Sequence, residues 1–188
     1  MTIIHKFNNL NTLYKCDRFV LSALNLAFIG FLTKNKINVN KDYYLWPDGI
    51  ISKFFGYKKK IPGRVLIKKI NLKLNKVRHV VILGNSSIKI NKFLKKKFKK
   101  KVVHIQLPNS EVKEIIKKIP KINRNDLYII TLPTPKQEII ATHISNNFKF
   151  FKIICIGGGL QIAVGDIKSC PRLLENLGLE FLNFSGNI

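Results

Sequence analysis

Short continuous apolar runs recur through the second half of the chain, each followed by a longer segment of helical spacing. The runs are HVVILG at 79–84, VVHIQL at 102–107, LYIITL at 127–132 and KIICIG at 152–157. They are short, apolar and rich in β-branched residues, and apart from His104 and Gln106 in VVHIQL they are nearly continuous, the pattern of strands buried on both faces. Helix signals lie between them. Residues 86–100 have helical periodicity. Asn109 or Ser110 can cap a helix that runs through Ile119 and stops at Pro120. Thr134 can cap another that begins with Pro135, and Pro171 opens a last helix, RLLENLG, with Gly178 as its C-cap. Alternating strands and helices predict an α/β fold, a Rossmann-like parallel sheet with helices on both faces. Before residue 76 the pattern is read as mostly helical, with helices over residues 22–33, 50–55 and 65–71.

In such sheets ligands bind at the carboxyl ends of the strands. The candidates are therefore Gly84 and Asn85, residues 133–138, and the triplet Gly157, Gly158 and Gly159. Acidic residues are scarce, so each is informative. Asp48 lies in WPDG after Tyr43, Tyr44 and Trp46. It reads as a turn or helix cap, or as a carboxylate general base at a pocket edge. PTPKQE at 133–138 opens a helix, where backbone N–H groups and Lys136 can hold phosphate and Gln137 can bond a sugar or base. Ordinary capping, with Glu138 favoured by the helix dipole, is the alternative. LGNSS at 83–87 and GGGLQ at 157–161 let backbone approach a ligand closely, yet neither matches a dinucleotide or P-loop fingerprint. The four histidines show no metal-ligand spacing, and His79 at a strand start reads as structural. No Gly-x-Ser-x-Gly elbow is present, and Cys155 within an apolar run reads as inert core. Cys16, Cys155 and Cys170 form no CxxC pair, which excludes a disulfide framework and suits a reducing compartment.

Charge adds a preference for partners. Lys and Arg number 34 against 10 Asp and Glu, a net charge of +24. With 46% hydrophobic residues the 188-residue chain can still bury a core, so it is not a disordered basic tail. The excess favours anionic partners: anionic lipid, phosphate-bearing substrates or nucleic acid. The largest run, KKKFKKK at 95–101, lacks the Arg and aromatic interleaving of a base-stacking surface. With Leu94 and Phe98 at helical spacing it reads as an amphipathic helix with a solvated lysine face; a membrane-surface role ranks second and nucleic acid third. FVLSALNLAFIGFL at 19–32 is interrupted by Ser22 and Asn25 and falls short of the roughly 18 apolar residues a span needs. The first residues lack the basic and apolar regions of a signal peptide. A cytoplasmic protein, soluble or at the membrane surface, is expected.

Several segments match a known family in order and spacing: ALN at 23–25, WPDGI at 46–50, KIPGRVL at 60–66, VILG at 81–84, PTPKQE at 133–138 and GGGLQIAVGDIKSCPRLLENLGLEFL at 157–182. On these the chain resembles the WecG/TagA/CpsF glycosyltransferase family. The resemblance implies one Rossmann-like domain over 1–188, with a helical acceptor-side part over about 1–75 and a nucleotide-binding α/β part over about 76–182. It implies metal-independent, inverting transfer of an N-acetylmannosamine-type or related sugar from a UDP donor. The acceptor would be a lipid-diphosphate-linked sugar of cell-surface polysaccharide synthesis. No cofactor beyond the UDP-sugar co-substrate is implied. Asp48 matches the family's proposed catalytic base and Asn25 its early acceptor-side Asn. Gln137 matches the Gln of the PKQE motif, with Thr134 and Lys136 in the same loop. Gly84, Gly158 and Gly159 would border the nucleotide, and Lys60 stands where the family usually has a phosphate-pairing Arg. The sequence departs from the family at Val65 and Gln161, each in place of an Asp. The family's basic C-terminal extension is expected to be missing after Ile188. The basic surface would hold the enzyme peripherally at an anionic inner leaflet and attract the diphosphate; self-association is left open. The alternatives are a divergent, weakly active or inactive nucleotide-sugar-binding relative and, third, a nucleic-acid-binding protein.

Overall fold

Seven strands form one sheet in the computed structural model, which describes residues 5–6, 13, 16–35, 41–48, 54–70, 77–108, 110–169 and 171. The strands are β1 (His5–Lys6), β2 (Arg18–Leu24), β3 (Tyr43–Pro47), β4 (His79–Leu83), β5 (Lys101–Ile105), β6 (Asp126–Ile130) and β7 (Phe151–Cys155). All pairings are parallel, in the order β1-β3-β2-β7-β6-β4-β5. The helices are α1 (Leu26–Asn35), α2 (Gly63–Lys69), α3 (Ile88–Phe98), α4 (Val112–Lys117), α5 (Lys136–Asn147) and α6 (Gly159–Val164). The expected Rossmann-like α/β sheet is the architecture found.

Alternate residues of each strand feed two cores, because successive side chains point to opposite faces. Phe19, Leu21, Val80, Ile82, Leu127, Ile129 and Ile154 pack under α2, α3 and α6, against Leu66, Ile67, Ile90, Leu94 and Leu160. Val20, Leu24, Val81, Leu83, Tyr128, Ile130 and Ile153 pack under α1, α4 and α5, against Phe28, Ile115, Ile140 and Ile144. β6 and β7 are buried at every position, Asp126 and Lys152 near their amino ends included. Edge strand β5 instead turns Lys101 and His104 to solvent, a charged edge that resists pairing with another sheet. In α3 the Ser87 hydroxyl accepts from Ile90 N–H, Ile90, Leu94 and Phe98 form the buried stripe, and left-handed Lys99 ends the helix.

The chain before residue 76 departs from expectation. It contributes three strands, so the helical reading of about 1–75 is corrected. The expected helix over 22–33 is the end of β2 followed by α1, with the break at Asn25, whose Oδ1 accepts from Phe28 N–H at 2.8 Å. A continuous apolar run does not reveal where a buried strand ends and a helix begins. YYLWP forms β3, adjacent to β2. The helix expected over 65–71 begins earlier, at Gly63. Residues 50–53, the cap candidate Asn109, and residues 172–178 of the helix expected after Pro171 lie outside the described residues. Glu111 stands at the N-cap of α4 and Pro135 at that of α5, neither with a side-chain cap. Thr134 turns its hydroxyl to Glu138 instead. Among the described residues no helix is long and apolar enough to cross a membrane.

Candidate functional site

A cleft of about 360 Å³ opens where β3, β2, β7 and β6 end. Each wall is set by the residue that leaves a strand. Asn25 follows β2, Asp48 follows β3, Thr134 lies in the loop after β6, and Gly157, Gly158 and Gly159 follow β7; all line the cleft. The sheet thus gathers segments far apart in sequence into one mouth. Asp48 is half-buried there. Among the described residues it is the one carboxylate lining the cleft, and Arg64 is the one cation.

The three glycines differ. Gly157 has φ +52 and donates its N–H to Gln137 Oε1 at 3.0 Å. A side chain on Gly159 would meet the backbone of Gly63 and Arg64 at 3.1–3.2 Å, so this glycine lets α6 and α2 approach backbone to backbone. Nothing lies within 4 Å of where a Gly158 side chain would start, and Gly158 is exposed at the cleft.

Gln137 is buried, and its amide is committed to the protein. Nε2 donates to Thr134 Oγ1 at 3.1 Å and Glu138 Oε1 at 2.9 Å, while Oε1 accepts from Gly157. Its expected contact with sugar or base is thus replaced by an internal pin on the triple-glycine turn. Thr134 is engaged likewise, donating to Glu138 Oε1 at 3.2 Å. Beneath them desolvation raises the Glu138 carboxyl above its ordinary pKa. Burial likewise pushes the Cys155 thiol up, which keeps it protonated and inert. Burial also raises the Tyr43 phenol, whose oxygen lies 2.7 Å from Thr142 Oγ1.

Three expected site residues do not line the cleft. Lys136 Nζ donates to the Ser110 carbonyl at 3.0 Å, tying α5 to the segment before α4. Gly84 is buried with φ +114, and a Cβ there would sit 2.8 Å from Thr131 Oγ1. Its carbonyl takes a hydrogen bond of 2.7 Å from His104 Nε2, so packing explains this glycine. Lys60 is half-buried just before Ile61, whose N–H bonds the Pro47 carbonyl at 2.6 Å. The cation that does reach the cleft is Arg64, whose only sequence signal is its position directly after Gly63, the glycine that starts α2. Gln161, in place of an expected Asp, stands on α6; with its amide nitrogen toward the turn it donates to the Gly157 and Gly158 carbonyls at 3.2 Å. An ionised Asp could not donate there.

Among the described residues no group of His, Cys, Asp or Glu is arranged to hold a metal ion. The model of the glycosyl transferase WecG/TagA/CpsF family matches residues 24–183. No curated protein matches the chain.

Proposed function

The chain belongs to the WecG/TagA/CpsF glycosyl transferase family, and on that premise we propose that it transfers an N-acetylmannosamine-type or related sugar from a UDP donor to a sugar carried on a lipid diphosphate. The observation that carries the reading is the shared cleft: Asp48 and Asn25 line the same cavity as the triple-glycine turn. Asp48 takes the proton from the acceptor hydroxyl. The oxygen forms its bond to the anomeric carbon from the face opposite UDP, the carbon–oxygen bond to the β-phosphate breaks, and the configuration inverts. Arg64 pairs with the departing diphosphate, as a guanidinium suits phosphate oxygens. The open space at Gly158 leaves room for the donor.

Asp48→Asn is the test. With a panel of UDP-sugars and a lipid-diphosphate-sugar analogue, turnover should fall about 10²–10⁴-fold, the usual contribution of a general base. UDP should still protect the variant against thermal unfolding. Equal turnover would remove the base assignment. Because Arg64 supplies the cation beside the leaving group, transfer should persist in EDTA; loss of activity restored by Mg²⁺ would overturn that part. The net charge of +24 supports work at an anionic leaflet, the surface on which a lipid-linked acceptor is presented.

A further inference from the structure

Glu138 lies fully buried behind the cleft wall, and no step of the transfer uses it. Its Oε1 accepts from Ser22 Oγ at 3.3 Å, Thr134 Oγ1 at 3.2 Å and Gln137 Nε2 at 2.9 Å. These donors belong to β2, to the loop after β6 and to the first turn of α5. The second oxygen, Oε2, is buried without a hydrogen-bond partner among the described residues. An acceptor left unmet in the interior is costly, so packing does not account for a carboxylate here. Orientation does. A glutamine amide fits its space either way round, but only one way puts an acceptor opposite the Gly157 N–H. A carboxylate has no hydrogen to give when ionised, so it accepts from Nε2 and turns Oε1 toward Gly157.

We propose that Glu138 is a positioning residue: it sets the direction of the Gln137 amide, and Gln137 Oε1 then fixes the Gly157 amide and with it the triple-glycine wall of the donor site. The link runs over two hydrogen bonds, of 2.9 and 3.0 Å, from the carboxylate to the cleft backbone. The importance of that wall for turnover rests on the glycosyltransferase reading; the link itself does not.

A donor–acceptor exchange tests it. At pH 8, Gln137→Glu places two carboxylates face to face and removes the amide donor to Glu138, leaving it only the Ser22 and Thr134 hydroxyls. The Gly157 N–H is shared with the Ile130 carbonyl at 3.3 Å, so losing the shorter Gln137 bond leaves that longer one, and amide exchange at Gly157, followed by NMR, should quicken about tenfold. The KM for the UDP-sugar should rise by a similar factor, with kcat changed far less because Asp48 is untouched. Adding Glu138→Gln restores a matched pair with its polarity reversed: the new amide donates, and Glu at 137 accepts both from it and from Gly157. The double variant should return exchange and KM to within about threefold of the wild type, a residue of well under 1 kcal/mol. A double variant no better than Gln137→Glu alone, or a Gln137→Glu variant with unchanged Gly157 exchange, overturns the proposal. If the wild type binds no UDP-sugar, the glycosyltransferase reading fails, and the Gly157 exchange series still decides the role of Glu138.

Discussion

At Glu138 desolvation outweighs four hydrogen bonds, from its own backbone N–H and from Gln137, Thr134 and Ser22, so the carboxyl sits above its ordinary value of 4.5. The folded protein then holds this proton more tightly than the unfolded chain does. Ionisation penalises folding above the folded pKa, and the penalty disappears as pH falls to the unfolded value. Glu138→Gln keeps an acceptor at the Oε1 position and carries no charge. From pH 8 down to pH 5 the wild type should therefore gain stability relative to that variant, read as a difference in Tm at each pH. Parallel Tm profiles would mean that the carboxyl titrates alike in both states. The neighbouring glycines give a second contrast. Gly158→Ala puts a methyl into open cleft and should leave stability within about 0.5 kcal/mol, as at an unconstrained surface position, while raising donor KM. Gly159→Ala forces a methyl against the Gly63 and Arg64 backbone and should cost about 1–3 kcal/mol, as overpacking does. Thermal unfolding and donor saturation curves separate the two; a Gly158→Ala enzyme with unchanged KM would move the donor elsewhere.

The elements that were legible beforehand are those bracketed by turn residues. HVVILG stops at Gly84 and KIICIG at the triple glycine, and both are strands where expected. FVLSAL passes into LAFIGFL with only Asn25 between, so period and composition could not part strand from helix. Asn25, which the family resemblance marks as a site residue, therefore shows no sequence sign of standing at the carboxyl end of a strand, where it lines the cleft. Asp48 and Gly157 to Gly159, each after an apolar run, do line the cleft, whereas Gly84, also after one, is packed against Thr131 and Leu132. The direction of the Gln137 amide was not legible, since it depends on a carboxylate oxygen and a loop N–H brought together only by the sheet. Asn25 now has two separable tasks. Its Oδ1 caps α1, and its amide group lines the cleft. Asn25→Ala should lose about 1 kcal/mol of stability, the usual worth of a cap. Asn25→Asp keeps the cap and adds a favourable charge at the start of α1, so it should retain stability in urea yet lower kcat/KM. An Asp variant with full activity would leave Asn25 a cap only.

At the scale of the molecule, the largest lysine run and the cleft lie at opposite ends of the sheet. In a parallel sheet of this kind each helix returns from the carboxyl end of one strand to the amino end of the next. α3 starts at Ser87, just past β4, and ends at Lys99, just before β5 begins at Lys101. Lys95, Lys99, Lys100 and Lys101 therefore surround a depression beside the amino ends of the strands, where Lys97 Nζ also bonds the Lys68 carbonyl near the end of α2. A five-residue strand is about 17 Å long, roughly twice the screening length of about 8 Å at physiological salt. At physiological salt the largest lysine run thus has little electrostatic reach into the cleft. Arg64, inside the cleft, is shielded by no such distance. Replacing exposed Lys95, Lys96 and Lys99 together by Gln should leave the KM for a UDP-sugar within about twofold at 150 mM salt, because those charges lie beyond the screening length. Arg64→Gln should raise it at least about tenfold, as for the loss of a charge-assisted hydrogen bond worth about 1.5–3 kcal/mol. Donor saturation curves at 20 and 150 mM salt carry the argument further. At low salt the screening length exceeds the strand length, so the triple variant alone should drift from the wild type there. A triple variant impaired equally at both salts would mean that the lysine run acts by contact with the substrate, and that the cleft at the strand ends is only part of the site.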